Sequence, residues 1–314
     1  MKLLLKLSVF IITISGFSQV AKDKITAVSS ETLEELVTVL ASDDLAGRNT
    51  GTEGIAEAAT FIESKFTKMG VKPYFETYRD NFVAKGNDAF NVVAFIEGND
   101  PKLKDEVVIL GAHYDHIGKG RAVEGDSIAN GANDNAAGTS AVMAIAEYFS
   151  KTKSNKRSLM FALFSAEEMG LLGSKHLATK LKKEGLNLYT MLNFEMIGVP
   201  MKDKDYDMYL SGYELSNMGE KLNEYVGFKL IGLLPKAKEF SLFKRSDNYP
   251  FYKEFKLPCQ TVSTFDFTNY AYYHHVDDEV EFMDFNHMAE LVNKVIPAIE
   301  VMTSTVDKEI VMYE

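Results

Sequence analysis

The chain has 314 residues, of which 46% are hydrophobic and 25% charged. Those fractions exclude a disordered, collagen-like or multi-span membrane protein, and the length allows one or two domains. Asp and Glu outnumber Lys and Arg by 45 to 34, a formal charge of −11, which argues against nucleic acid and offers no polybasic patch for anionic lipid.

Residues 1–20, MKLLLKLSVFIITISGFSQV, open with Lys2 and Lys6, run apolar from Leu7 to Ile14 apart from Ser8 and Thr13, and end in small or polar residues. This is the layout of a secretory signal peptide, and the apolar run is too short to span a bilayer. The expectation is a signal over residues 1–18, cleavage near Ser18–Gln19, and one exported domain over 19–314, periplasmic or extracellular. The single cysteine, Cys259, lies in the apolar run LPCQTV, far from that segment, so neither a lipid anchor nor a stable membrane anchor is expected. One cysteine also excludes an intramolecular disulfide and a cysteine-based zinc cluster.

No internal repeat, low-complexity tract or Pro/Gly linker divides the remainder. Strand-length apolar runs fall at Tyr74–Phe82, Phe90–Glu97, Glu106–Ala112, Ser158–Ser165, Leu188–Met196, Asp207–Ser211 and Pro258–Phe265. Several are continuous, as in Val107–Leu110 and Leu159–Phe164, the pattern of strands buried on both faces. Helical stretches alternate with them at Glu31–Leu40, Thr52–Met69, Ala136–Phe149, Leu171–Lys183, Glu214–Tyr225 and Asn286–Thr303. In the third, Ala141, Ile145 and Phe149 recur at helical spacing while Glu147 faces away. Such interleaving predicts a largely parallel sheet with helices on both faces, and functional groups just beyond the C-terminal ends of its strands.

The polar groups at those ends are suited to a metal. In VVILGAHYDHIG, His113 and Asp115 stand at i and i+2, so an extended chain projects both to one side, as a ligand and its orienting carboxylate require. His116 is one step on, faces the other way by this reasoning, and is taken as structural. Asp134 sits in the Asn/Gly-rich turn of NGANDNAAG, where it suits either a helix cap or a bridging carboxylate. Glu167 and Glu168 follow the apolar strand of SLMFALFSAEEMG and point different ways, so one can bind a metal while the other moves a proton. Glu195 ends a further strand in LYTMLNFEMIG, and TNYAYYHHVDDEVEFMDF brings His274 and His275 in an aromatic, acidic loop. His176 and His287 lie in helical patterns and are read as packing or surface residues. A donor set of imidazole and carboxylate without thiolate suits zinc, with manganese or cobalt as alternatives.

Taken together, GAHYDH, NDNAAG, SAEEMGLLGS, NFEMIG and YYHHVDDEVEFMDF resemble the M28 family of zinc peptidases, and the resemblance runs from SDDLAGRNTGTEG (Ser42–Gly54) to about Thr303. It implies a three-layer α/β/α sandwich around a mixed, mostly parallel eight-stranded central sheet, in a single catalytic domain. It implies two zinc ions: His113 and Glu195 on the first, Glu168 and His274 on the second, Asp134 bridging both. Asp115 would orient His113 and Glu167 would be the general base. His274 is chosen over His275 because the family register then places Asp277, Asp278 and Asp284. Ser246, Asp247 and Tyr249 in KRSDNYPF resemble the family's loop near the substrate N-terminus. The family's bridging Asp is often followed by a cis peptide, here Asp134–Asn135. Glu195 stands where Asp is usual and Glu279 where Thr is usual.

These matches imply an aminopeptidase acting on peptide substrates, with oligomeric state left open. Glutaminyl cyclase shares the fold but uses one zinc and a pocket with indole contacts, and this chain has no Trp. A second lid domain, usual in related carboxypeptidases and dipeptidases, has no visible boundary. A non-catalytic peptidase-like binding domain would have lost the ligands that are retained here.

Overall fold

The computed structural model describes residues 28–314, so the expected signal peptide, residues 1–18, lies outside the described residues. Among these residues no helix is long and apolar enough to cross a membrane.

A nine-stranded sheet forms the middle layer. Its centre is four parallel strands in the order β7 (Ser158–Phe164), β4 (Val107–His113), β8 (Leu188–Glu195) and β11 (Cys259–Ser263). The flanks turn antiparallel: β3 (Asn87–Ile96) pairs with β7 on one side, and β9 (Met208–Leu210) with β11 on the other. Outside these lie β1 (Lys72–Pro73) and β2 (Arg79–Ala84), both on β3, and β10 (Ile231–Gly232) on β9. The hydrogen-bonded path holds eight strands, the number expected, and β2 adds a ninth beside it. Every residue of β4 and β7 is buried, as their unbroken apolar runs require.

Helices cover both faces. On one side α1 (Ser30–Leu40), α2 (Glu53–Met69), α3 (Gly138–Thr152), α5 (Met218–Val226) and α8 (Phe285–Ser304) pack over Val108, Leu110, Phe161 and Leu192. On the other, α4 (Leu172–Lys183) and α7 (Asn248–Phe255) pack over Ile109, Met160, Ala162 and Met191. The alternation of side chains along each central strand thus feeds two cores. The apolar stripe of α3, with Ala141, Ile145 and Phe149 fully buried, lies on the first face. Truncating Phe149 to Ala would cost about 3–5 kcal/mol, the usual loss for a core phenylalanine.

Several elements depart from the sequence expectation. The strand expected from Tyr74 begins only at Arg79, because the chain bends through residues 74–78. Helix α7 is hidden in the sequence by Pro250, which falls in the first turn, where a missing N–H costs nothing. A small hairpin, β5 (Gly118–Val123) with β6 (Asp126–Ala129), stands apart as a two-stranded sheet whose polar residues gave no apolar signal. The short helix α6 (Pro235–Glu239) completes the elements on the β10 side.

Candidate metal centre and active site

The C-terminal ends of β4, β7 and β8 open onto a cavity of about 530 Å³, lined among others by His113, Asp134, Glu167, Glu168, Glu195 and His274. His113 is the last residue of β4 and is buried. Its Nε2 lies 3.0 Å from Glu195 Oε1, at the end of β8, and 3.3 Å from Asp134 Oδ1. Asp134 Oδ2 faces the other way, 3.3 Å from His274 Nε2, which is also 3.2 Å from Glu168 Oε1. Donors bonded to one tetrahedral divalent ion at about 2.0–2.1 Å are about 3.3 Å apart. Both sets have that spacing, both are made of imidazole and carboxylate, and both use Asp134. The residues therefore fit divalent cations of the zinc type.

Backbone constraints hold this arrangement. Asp134 lies in the turn Ala132–Ala137, ahead of α3, and the peptide from Asp134 to Asn135 is cis, as the family resemblance implied. The buried Asp278 carboxylate accepts the amides of Asn133 at 2.8 Å and Asp134 at 3.0 Å, and Tyr270 donates to it at 2.6 Å. The Asn135 side chain ties the same turn to β8, donating to Phe194 O and accepting from Met196 N. Fully buried Arg48 donates to Tyr114 O at 2.8 Å, Asn130 O at 2.6 Å, Gly131 O at 2.9 Å and to Leu40 O. One guanidinium thus joins the segment after β4 to the turn that carries Asp134. Ala166, Met196 and His274, all non-glycine, have φ of 55°, 47° and 56°. Such left-handed positions cost roughly 1–3 kcal/mol each and persist only where the surroundings dictate them.

The Asp115 carboxylate accepts the amides of Glu167 at 3.1 Å and Glu168 at 3.3 Å. The nearer acceptor for His113 Nδ1 is the Asp115 carbonyl, at 3.0 Å, with the carboxylate at 3.6 Å. Asp115 therefore couples the β4 end to the loop that carries both glutamates. His275 points away, toward Asp277. Of the three residues expected near substrate, Ser246 lines the cavity and donates to Glu195 Oε2 at 2.7 Å. Asp247 and Tyr249 do not reach the cavity wall. Asp247 is fully buried behind it, and Tyr249 stacks on Tyr252 and meets the edge of Phe243.

One expectation is overturned outright. His116 is buried, and its Nδ1 lies 3.2 Å from Glu168 Oε1 and 3.8 Å from Asp134 Oδ2. Strand β4 ends at His113, so the two-residue alternation that turned His116 away no longer applies beyond it. Arg48 and Asp278 were likewise not singled out as functional. A lone arginine in a Gly/Asn-rich stretch and one acid among several carry no periodic signal.

The electrostatics follow from crowding acids under cover. Burial disfavours charge on His274, yet its contacts with Asp134 and Glu168 outweigh that and lift it to about 10. His113 is raised well above the usual imidazole range against the same opposing burial, chiefly by Glu195. Glu167 is raised well above the usual carboxyl range by burial, with Asp247, Glu195 and Glu168 adding to it against His113. Burial raises Asp247 to about 7. Asp134 and Glu168 are held below their ordinary values despite burial, because the imidazoles beside them favour the charged carboxylate. A cation entering this centre must displace protons from the histidines.

Comparison with known proteins places the chain among peptidases by family and fold. The chain is 28% identical over 247 residues to a probable leucine aminopeptidase of Arthroderma otae, covering 74% of this chain and 62% of that protein. It is 28% identical over 218 residues to leupeptin-inactivating enzyme 1 of Streptomyces exfoliatus, covering 64% and 46%. The chain thus spans less than two thirds of these relatives' length. In structure it matches the LapA aminopeptidase of Legionella pneumophila with a TM-score of 0.69 at 21% identity, covering 97% and 79%. It matches a glutaminyl cyclase of Fimbriiglobus ruber with a TM-score of 0.67 at 18% identity, covering 87% and 95%. These two likenesses speak for the fold. Residues 91–298 match the model of peptidase family M28, and the chain belongs to that family.

Proposed function

We propose that this chain is an exported di-zinc exopeptidase, an aminopeptidase that removes N-terminal residues from peptides. The observation that carries the reading is the pair of ligand sets sharing Asp134, with the Glu167 carboxyl in the same cavity. His113 and Glu195 would hold the first ion, Glu168 and His274 the second, and Asp134 both. When bound, such ions supply Lewis acidity to a scissile carbonyl and lower the pKa of water toward 7.

The chain's own groups do the rest. Glu167 accepts a proton from the attacking water on its carboxylate and passes it to the nitrogen of the leaving amine as the C–N bond breaks. Burial beside Asp247 and Glu195 raises its pKa, which strengthens the carboxylate as a proton acceptor. Asp115 sets the Glu167 backbone, and Ser246 fixes the second oxygen of Glu195. The acids of the cavity favour a substrate's free α-ammonium, and Leu242, Phe265, Phe267 and Tyr273 offer an apolar wall to its side chain. The relatives named leucine aminopeptidase support that preference.

A second reading, cyclisation of N-terminal glutamine, rests on the fold shared with glutaminyl cyclases. The two ligand sets weigh against it, because that chemistry uses one ion.

Assay of zinc-loaded protein on aminoacyl nitroanilides, N-acetylated analogues and glutaminyl peptides separates these readings. The expected result is cleavage of free-amine substrates only, lost on chelation and restored by zinc. Glu167→Gln should lower kcat by about 10²–10⁴-fold with metal content unchanged. Equal turnover of blocked substrates, or turnover indifferent to chelation, would refute the aminopeptidase reading.

A further inference from the structure

The geometry points to His116 as a fourth protein ligand of the second metal ion, beside Asp134, Glu168 and His274. This rests on reading the cluster as a metal-ion pair. His116 and His274 converge on the same two oxygens. His116 Nδ1 is 3.2 Å from Glu168 Oε1 and 3.8 Å from Asp134 Oδ2, against 3.2 Å and 3.3 Å for His274 Nε2. Their rings meet edge to face with centroids 5.7 Å apart, so neither blocks the other.

A purely structural histidine would have its nitrogens hydrogen-bonded. Among the described residues His116 is buried, yet Nδ1, Nε2 and the facing Glu168 Oε1 all lack a hydrogen-bond partner. Leaving such atoms unmade costs about 1–3 kcal/mol each. A cation between Nδ1 and Oε1 satisfies both and leaves Nε2 as the one ring atom without a partner. The ring is also held in place. Gly131 has φ +61°, and a Cβ there would come within 2.5 Å of His116 Cγ, so a glycine is required for the imidazole to sit at this depth. His116 donates its amide to Arg48 O, on the residue whose guanidinium fixes the same turn.

The consequence is two unlike ions. The first has three protein ligands and keeps an open position, the mark of a reactive site, whereas the second has four and is closed by protein. The second ion is then the more tightly held.

X-ray absorption on the zinc-loaded full chain tests this without reference to turnover. The expected result is two zinc ions sharing three imidazoles. Two ions sharing two imidazoles would overturn the assignment while leaving the metal-pair reading intact; no bound zinc would overturn both. His116→Ala should bind the second ion more than about 100-fold more weakly, beyond the usual loss for a residue that only supports a ligand. A smaller loss, or recovery of affinity in His116→Asn, which hydrogen-bonds but coordinates poorly, would also overturn it. If the variants fail to fold, the imidazole count of the unaltered protein decides.

Discussion

His113 and His274 face the two oxygens of one carboxylate, Asp134, from opposite kinds of backbone. His113 ends a central strand whose residues are all buried, and its side chain is 2% exposed. His274 sits in a loop at φ 56°, 37% exposed, with Tyr273 stacked against it at 4.0 Å. One half of the centre is placed by the sheet and cannot move without it. His274, at the outer edge of the other half, is placed by a loop held through Asp278, Tyr270 and the turn that carries Asp134. The proposed metal centre thus divides between a buried wall and a more exposed one, and Tyr273, which lines the cavity, belongs to the exposed side.

The largest effect should come from removing what the halves share. Asp134→Ala should weaken binding of both ions, the first more than the second, and lower kcat/KM by at least about 10³-fold, since ionic stabilisation of the transition state is worth several kcal/mol at about 1.4 kcal/mol per decade. Metal analysis alongside kinetics checks it. Unchanged affinity for either ion would mean that Asp134 is not common to the two halves.

Next is the strut. Arg48→Met removes four donations to buried carbonyls and should destabilise the fold by about 3–5 kcal/mol in denaturant titration, the range for breaking a buried charged network. A loss below about 1 kcal/mol would show that the turn before Asp134 holds its shape unaided. Tyr273→Ala probes the loop side alone. It should weaken the second ion by about threefold to tenfold, as loss of a stacking contact worth about 0.5–1.5 kcal/mol predicts, with the first ion unchanged. An equal loss at both ions would contradict the division drawn above.

The same division explains what the sequence reveals. The central strands are legible because burial on both faces leaves unbroken apolar runs, and His113, Glu167, Glu168 and Glu195 are legible as polar groups that end them. The cross-chain supports are not. Arg48 reaches Asn130 and Gly131 more than eighty residues away, and Asp278 reaches Asn133 and Asp134 across more than 140, so no local pattern encodes them. The placement of His116 is not legible, because strand alternation ends with β4 at His113, three residues earlier. Helix α7 and the β5–β6 hairpin were missed for related reasons, one masked by a proline in its first turn and the other by its polarity.

The smallest effect is the most selective probe of the seam between the halves. Glu279, where the family usually has threonine, follows His274 in the loop, and its Oε1 accepts from Asn130 at 2.9 Å, just ahead of the Asp134 turn. Partial burial lifts its carboxyl to about 7, with Asp43, Glu281 and Asp126 adding to the rise against the Asn130 hydrogen bond. The folded value lies above the unfolded one of about 4.5, so this contribution to stability is fully present below pH 4.5 and is lost as pH rises through about 7. Glu279→Gln keeps the acceptor and cannot ionise. It should match the wild type near pH 4.5 and exceed it at pH 8.5 by no more than about 1 kcal/mol, since solvent screens a partly exposed group. Thermal melts at the two pH values measure the difference. A variant less stable at pH 8.5 would mean that the ionised carboxylate strengthens the seam, and that the loop half is held by charge rather than by the neutral hydrogen bond.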